Sequence, residues 1–189
     1  MSQLKETRKL LIILRSLPAW LLGCAAAAAW LLVAGPVLAD PPDPADAIVG
    51  DWLVQTRDAV VRITRAGDGY EGRIVWQQRD HYGPEDGPDW DGKVAVDRNN
   101  PDPALRSRTI DGMRLIWGLH YRPDEAEWNG GHVYDADDGR TYRCLIRLKD
   151  PDHLKLRGYL GITLLGGSTI WTRVDSVPPK TPPVASVLK

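Results

Sequence analysis

Several residue types are scarce or absent in this sequence, and each absence excludes a class of protein. The 189 residues include no Phe, two Cys, two Met and four His. Because Cys24 lies in an apolar N-terminal stretch, only Cys144 is left if that stretch is removed, and no intrachain disulfide can then form. No close spacing of His and Cys matches a zinc motif, although His120 and His132 could face each other across a hairpin. The other two histidines are His81 and His153.

The sequence also has no surplus of basic charge. Its 24 basic and 25 acidic side chains give a formal net charge of −1. Four of the basic residues and one acidic residue fall within the first 39 positions, so the rest of the chain has a net charge near −4. A surface that neutralises nucleic-acid phosphates needs an excess of Lys and Arg. We therefore expect no nucleic acid partner.

No motif of a known catalytic type is found. The sequence has no Ser-His-Asp pattern, no phosphate-binding loop and no Cys-His arrangement. Cys144 falls on the apolar side of a predicted strand, which indicates a buried hydrophobic side chain and not a catalytic thiol. We predict a protein that is not an enzyme and has no cofactor or metal. Glycosidase chemistry by paired acids stays open as an alternative, since Asp is plentiful and the distances between carboxylates are not visible in a sequence.

The N-terminal segment, residues 1–39, has the layout of a secretory signal peptide. An apolar run from Leu17 to Leu38 follows a positively charged front, and Val37-Leu38-Ala39 forms a small-residue cleavage pattern before Asp40. The basic residues of the front are Lys5, Arg8, Lys9 and Arg15. This pattern predicts cleavage after Ala39 and a periplasmic or secreted protein.

Two other interpretations of the N-terminal segment stay open. The apolar run is about long enough to span a bilayer, so it could act as an uncleaved anchor, which would be the protein's one contact with a membrane. Leu21-Leu22-Gly23-Cys24 is similar to a lipoprotein signal. However, five Ala and further apolar residues follow Cys24, where lipoproteins usually have a polar tether.

Apolar and polar residues alternate through most of the remaining chain. In the stretch 140–149, for example, Cys144 and Ile146 share one parity, whereas Arg143 and Arg147 share the other. Side chains of a strand point alternately to its two faces, so this alternation predicts strands with one buried face. Clusters of Gly, Asp and Pro separate about eight such segments. They lie near residues 49–55, 60–65, 70–78, 113–121, 128–134, 140–149, 153–160 and 168–174.

Short antiparallel strands joined in sequence predict an all-β fold. We expect a single up-and-down β-barrel, spanning residues 48–175, because closure removes the exposed edges of the sheet. A barrel of about eight strands has an interior that is filled by side chains or holds one small ligand. The Pro- and Asp-rich residues 40–47 predict an extended lead-in, and the Pro-rich residues 176–189 predict a disordered tail.

One long loop, residues 79–104, interrupts the rhythm of the strands. It is acidic and rich in turn residues, and a loop of this length in a compact domain is usually functional or disordered. Its oxygen-bearing residues suit Ca²⁺ in type but lack the spacing of an EF-hand. We expect Asp97, Asn100 and Asp102 to bond backbone groups and to pin the loop across the barrel. A short helical turn is expected at residues 103–107, capped by Asp102.

Gly50-x-Trp52 on the first strand and Arg173 on the last resemble the closure of lipocalin-type barrels. In that closure the early Trp packs under a late basic residue, and a guanidinium stacks favourably on an indole. The fuller pattern resembles the bacterial "domain of unknown function 2147" family over nearly all of residues 48–175. It consists of Asp97-x-x-Asn100-Pro101-Asp102, Gly112, Trp128-x-x-Gly131-x-Val133-Tyr134-Asp135, Gly139-x-x-Tyr142, Leu156-x-Gly158-Tyr159, Leu165-Gly166 and Trp171-x-Arg173.

The resemblance implies an exported protein with one lipocalin-like barrel, and it implies no reaction and no catalytic residues. Five aromatic residues are candidates for the barrel interior, where they either fill the core or line an apolar cup with Tyr hydroxyls as polar anchors. They are Trp76, Trp117, Tyr121, Tyr134 and Tyr142. The predicted function is binding of a small apolar ligand. The alternative is an envelope module with a filled barrel, whose loop and rim contact another protein.

Overall fold

The computed structural model describes residues 42–161 and 166–179. The predicted signal peptide, with Cys24, and most of the predicted tail lie outside these residues. Eight antiparallel strands form a closed barrel in which each strand pairs with the next, and β8 pairs with β1. The prediction of an up-and-down barrel is therefore confirmed. No helix within the described residues is long and apolar enough to cross a bilayer.

The eight strands lie close to the predicted segments. The barrel's lower end is where β1 begins and β8 ends, and its upper end carries the long loop, residues 78–113, between β3 and β4. The strands are β1 Gly50–Leu53, β2 Ala59–Ala66, β3 Gly69–Gln77, β4 Arg114–Arg122, β5 Glu127–Asp135, β6 Arg140–Asp150, β7 His153–Tyr159 and β8 Gly166–Val174.

The barrel interior is an apolar core that reaches all eight strands. Trp52, Ile63, Ile116, Ile146 and Leu154 are fully buried members of it. Burial of an aliphatic or aromatic side chain of this size contributes about 1.5–3 kcal/mol. This core therefore accounts for much of the favourable free energy of folding.

A bulge in β3 turns Trp76 away from this core. Trp76 pairs with Val60 where the register of β2 and β3 shifts, and Val60 pairs with Leu53. Val60 directly precedes the inward Val61, so Val60, Leu53 and Trp76 share the outer face. They form a second cluster, separate from the main core. The assignment of Trp76 to the barrel interior is corrected for this reason.

The predicted extended lead-in, residues 40–47, is wrong from Pro44 onward. Residues Pro44–Ile48 form a 3-10 helix, here called the plug helix, and Ile48 is fully buried at the lower end. The side chain of Asp43 accepts a hydrogen bond from the Ala45 backbone N–H at 2.9 Å. Asp followed by Pro is a helix-start signal, which the high Pro content of the segment obscured.

The long loop contains two more 3-10 helices. The second of them, Pro103–Leu105, lies where a helical turn was expected but is shorter. The Asp102 side chain caps it by accepting from the Ala104 N–H at 2.9 Å, as the sequence indicated. The first is Pro84–Asp86. The loop also contains two isolated antiparallel bridges, between His81 and Val94 and between Val96 and Thr109.

Candidate functional site

The lower end of the barrel is closed around Arg173. Its guanidinium carbon lies 4.2 Å from the centroid of the Trp52 ring, across the pairing of β8 with β1. The same guanidinium donates to the carbonyl oxygens of Ala47 at 2.7 Å, Val49 at 2.8 Å and Pro151 at 2.8 Å. Arg173 thus ties the plug helix and the β6–β7 turn to the base of the sheet.

Two indoles complete the lower closure. The Nε1–H of Trp52 donates to the Ile48 carbonyl and that of Trp128 to the Ala45 carbonyl, both at 2.9 Å. Gly50 has a φ of +141°, and a Cβ there would collide with the guanidinium of Arg173. The structure thus brings the three predicted closure residues, Gly50, Trp52 and Arg173, together. A residue with a Cβ does not fit at position 50 beside the guanidinium of Arg173.

The upper end is held by one buried carboxylate. Asp97 is fully buried, and its Oδ2 accepts from Arg108 Nε at 2.9 Å and from Asn100 Nδ2 at 2.6 Å. Its Oδ1 accepts from the Tyr134 hydroxyl at 2.6 Å. Burial, followed by this hydrogen bond, raises the pKa of Tyr134 to about 12. We call Asp97, Asn100, Arg108 and Tyr134 the loop clamp, because they bind the long loop to β5.

The loop clamp corrects one expectation about pinning. The carboxylate of Asp97 bonds side chains and not the backbone groups that were expected. Asn100 uses both kinds of partner, since its Oδ1 accepts from the Asp102 N–H at 2.9 Å. A further contact joins Asn99 Nδ2 to the Asp137 carbonyl at 2.9 Å. The loop is therefore fastened to β5 and to the turn that follows it.

Near the upper end, the inward positions of β7 and β8 are glycines. Gly158 pairs with Gly167 and also with the inward Cys144 of β6. A Cβ on Gly158 would lie 3.6 Å from Val133 Cγ1 and 3.8 Å from Tyr142 Cβ, and no described atom lies within 4 Å of one on Gly167. Val133 and Tyr142 are themselves only partly buried. We call the space bordered by Val133, Tyr142, Gly158 and Gly167 the upper cup.

Two titratable groups adjoin the upper cup. The Tyr142 hydroxyl donates to the Asp138 carboxylate, and this bond raises the pKa of Tyr142 and lowers that of Asp138. Burial raises the pKa of the Cys144 thiol to about 12. A thiol with such a pKa is not a nucleophile near neutral pH, which agrees with the structural role expected for Cys144.

The predicted interior aromatics are not gathered in one place. Tyr121 faces the core, where its ring centroid lies 5.0 Å from that of Trp128. Tyr134 belongs to the loop clamp, and Trp76 lies on the outer face. Of the five candidates, Tyr142 is the one that borders the upper cup.

Trp117 lies on the outer side of the barrel. Trp117 pairs with His132, and the adjacent pair, Ile116 and Val133, points inward, so Trp117 and His132 point outward. The rings of Trp117 and His132 stack at a centroid distance of 5.7 Å. The interior assignment of Trp117 is corrected accordingly. The expected facing of His120 and His132 is also wrong, because His120 pairs with Asn129.

A groove on the outer wall of β5–β7 was not anticipated from the sequence. It has a volume of about 420 Å³ and is lined mostly by charged and polar side chains. Those side chains are spread over three strands and belong to no motif. Among residues 42–161 and 166–179, no three His, Cys, Asp or Glu side chains gather into a metal site.

Comparisons with known proteins agree with this architecture. The family model described as "Uncharacterized protein conserved in bacteria (DUF2147)" matches residues 50–173. A solved structure described as "Protein HP1028 from the human pathogen Helicobacter pylori belongs to the lipocalin family" is similar, with a TM-score of 0.54 and 20% identity. The match covers 67% of this chain and 82% of that chain, and it shows a common fold. No curated protein matches the sequence significantly.

Proposed function

Because the chain belongs to the DUF2147 family, which is described as uncharacterized, its function has to be inferred from its own residues, and we propose that it binds a small apolar ligand in the upper cup. The observation that carries this proposal is the pair of inward glycines, Gly158 and Gly167, beneath partly exposed Val133 and Tyr142. Apolar pockets with a few polar groups at the rim are the usual sites for such ligands.

The core below the upper cup limits the size of the ligand. The next inward level is formed by Trp128, Ile146 and Leu156, which pair in register and are at most 5% exposed. A ligand therefore enters only the upper part of the barrel. The Tyr142 hydroxyl, which already donates to Asp138, supplies a polar contact at the rim. These features favour a short acyl chain or a single aromatic ring.

Filling the upper cup tests this proposal. Gly167→Leu places an aliphatic side chain in the cup, whereas Ser168→Leu places the same side chain on the outer face. We expect hexanoic acid, a short acyl chain whose binding is followed by calorimetry, to bind the wild-type protein saturably. Gly167→Leu should weaken that binding at least tenfold, and Ser168→Leu should leave it unchanged. Equal binding by both variants, with both folded by circular dichroism, would show that hexanoic acid does not use the cup.

We also propose that the protein is exported, with cleavage after Ala39. The support is the order of a basic front, an apolar run and a small-residue pattern in residues 1–39. Mass spectrometry of protein from the periplasm of an expressing bacterium is the test. A mass that corresponds to a chain starting at Asp40 is expected, and a retained or lipidated N-terminus would contradict the proposal.

The second candidate function is an envelope interaction module. It is favoured by two apolar side chains of the long loop, Val94 and Leu105, which are 48% and 39% exposed. The loop is stiffened near Val94, because the Arg98 guanidinium carbon lies 4.6 Å from the Tyr82 ring centroid and 5.4 Å from that of Trp90. A partner that co-purifies with the wild-type protein but not with a Val94→Asp variant would favour this function.

A further inference from the structure

The outer wall of β5–β7 carries a groove that plays no part in the proposed apolar site. Leu145 and Arg147 line it, and they alternate along β6 with the inward Cys144 and Ile146. The groove therefore opens to solvent on the opposite face of the sheet from the core. Its seven lining residues are Glu125, Glu127, Asn129, Leu145, Arg147, Lys155 and Arg157.

Three cations lie close together in this groove. Arg147 pairs directly with Lys155, and Arg157 pairs with Leu145, the next outward residue of β6. Directly opposed residues have Cβ atoms about 4.5–5.5 Å apart, and their diagonal neighbours are about 7–8 Å apart. The three side chains therefore project from neighbouring positions of the outer face, and Arg157 Nη1 also donates to Ser168 Oγ at 3.3 Å. Like charges directly opposite each other destabilise a sheet, and the ion pair of Arg147 with Glu127 offsets part of this repulsion.

A buried acid orients one of these cations. Glu127 is only 1% exposed although it lies on the outer wall. Its Oε2 accepts from Arg147 Nε at 2.7 Å, and its Oε1 accepts from Asn129 Nδ2 at 2.8 Å. The Arg147 side chain is 58% exposed, and the contact uses Nε alone. The two terminal nitrogens of the guanidinium are thus directed by a rigid partner and can meet a ligand.

We propose that this groove binds a ligand that carries phosphate groups, held by Arg147, Lys155 and Arg157. The planar fork of Arg suits the oxygen atoms of phosphate, and Lys adds a compact charge. Glu127 acts as a positioning residue, because it holds Arg147 and does not itself attract an anion. The chain beyond the first 39 residues has a net charge near −4, so the binding is local to the groove and does not extend to long nucleic acids.

Calorimetry with sodium pyrophosphate tests the groove directly. We expect saturable binding to the wild-type protein and at least tenfold weaker binding to Arg147→Gln and to Lys155→Gln. Lys149→Gln is the matched control, since Lys149 is the next outward residue of β6 after Arg147 and does not line the groove. It should bind like the wild type. Equal weakening in the control would overturn the proposal.

Glu127→Gln separates positioning from simple attraction of charge. This variant makes the groove more positive by one charge, so attraction alone predicts tighter binding of pyrophosphate. Positioning of Arg147 predicts weaker binding, because the neutral amide of Gln holds the guanidinium less tightly than the carboxylate does. Tighter binding by a folded Glu127→Gln protein would overturn the positioning role of Glu127.

A vesicle-binding experiment distinguishes a lipid headgroup from a soluble phosphorylated molecule. Co-sedimentation with phosphatidylcholine vesicles that contain phosphatidic acid, lost in Arg147→Gln, would identify a lipid headgroup. Heat with pyrophosphate but no co-sedimentation would identify a soluble phosphorylated molecule. Failure of both experiments would overturn the proposal. It would leave the upper cup untouched, because the cup lies on the other face of the sheet.

Discussion

The two ends of the barrel are closed by different kinds of contact. At the lower end, Arg173, Trp52 and Trp128 donate hydrogen bonds to backbone carbonyl oxygens. At the upper end, the side chains of Arg108 and Tyr134 converge on the carboxylate of Asp97. The lower end is thus fastened by several separate donors, each with its own acceptor, whereas three side chains at the upper end share the carboxylate of Asp97.

This difference bears on the proposed ligand site. The lower contacts bring the plug helix against the core, with Ile48 fully buried. The upper clamp fastens the long loop to β5, whereas the inward positions of β7 and β8 near that end, Gly158 and Gly167, have no side chains. We therefore interpret the lower end as structural and the upper end as the binding end. The predictions below probe this contrast, starting with the largest expected effect.

Removal of the central carboxylate should have the largest effect. Asp97→Ala leaves Arg108, Tyr134 and Asn100 without their common acceptor, and because the Arg108 side chain is 37% exposed and can be hydrated, we expect a loss of about 3 kcal/mol. Urea denaturation should show this loss in the free energy of unfolding. Asp89→Ala, an exposed position of the same loop, should change stability by less than about 0.5 kcal/mol. Similar small effects of both substitutions would show that the clamp does not hold the upper end.

Loss of the lower cation should have a smaller effect. Arg173→Met keeps an unbranched apolar stem over Trp52 but removes the donors to three carbonyls. Because Arg173 is partly exposed, water can replace some of these bonds, and we expect a cost of about 2 kcal/mol. Arg62→Met, which breaks an exposed ion pair with Asp51, should cost less than about 1 kcal/mol. A cost for Arg173→Met above that of Asp97→Ala would reverse the contrast between the ends.

Raising the pH into the alkaline range should reduce the stability contributed by one Tyr at each end of the barrel. Burial, together with a hydrogen bond to a carboxylate, raises the pKa of Tyr70 at the lower end and of Tyr134 at the upper end to about 12. The ordinary value is 10.0, so the unfolded chain ionises first. Stability is fully present below pH 10 and falls as the pH rises toward 12, by about 2 kcal/mol or less for each Tyr. Chemical denaturation at pH 9 and at pH 11 measures the free energy of unfolding. Its decrease between the two pH values should be smaller in Tyr70→Phe and in Tyr134→Phe than in the wild type. An unchanged fall in both variants would contradict the assignment.

The smallest effect concerns a single indole donor. Trp128→Phe removes the hydrogen bond to the Ala45 carbonyl and should cost about 1 kcal/mol beyond the loss of ring area. Trp76→Phe is the matched control, because Trp76 Nε1 is buried and has no hydrogen-bond partner among the described residues. The substitution Trp76→Phe should lower stability clearly less than Trp128→Phe in the same thermal melts. Equal costs would show that the bond to the plug helix contributes nothing.

Much of the fold could be predicted from the sequence, because alternation reports which face each strand buries. The prediction from this alternation failed where the alternation of inward and outward residues is interrupted. The bulge in β3 moves Trp76 to the outer face, and a bulge is invisible in a pattern of period two. The plug helix was missed although Asp43 and Pro44 form the same signal as Asp102 and Pro103.

The candidate sites were harder to predict than the strands. The position of Asp97 on the loop was noticed, but its partners Arg108 and Tyr134 lie 11 and 37 residues away in the chain. The groove of Glu127, Arg147 and Lys155 depends on the register between β5, β6 and β7. Register is set by pairing in three dimensions, so no local pattern could have brought these residues together.

Hydrogen exchange in the presence of an apolar ligand tests the contrast between the ends most directly. With hexanoic acid bound, the account predicts slower amide exchange in peptides that cover the upper cup, around residues 133–142, 156–160 and 166–169. Peptides of the plug helix and β1, residues 44–53, should exchange at unchanged rates. Slower exchange at residues 44–53, with none at the cup, would contradict the account.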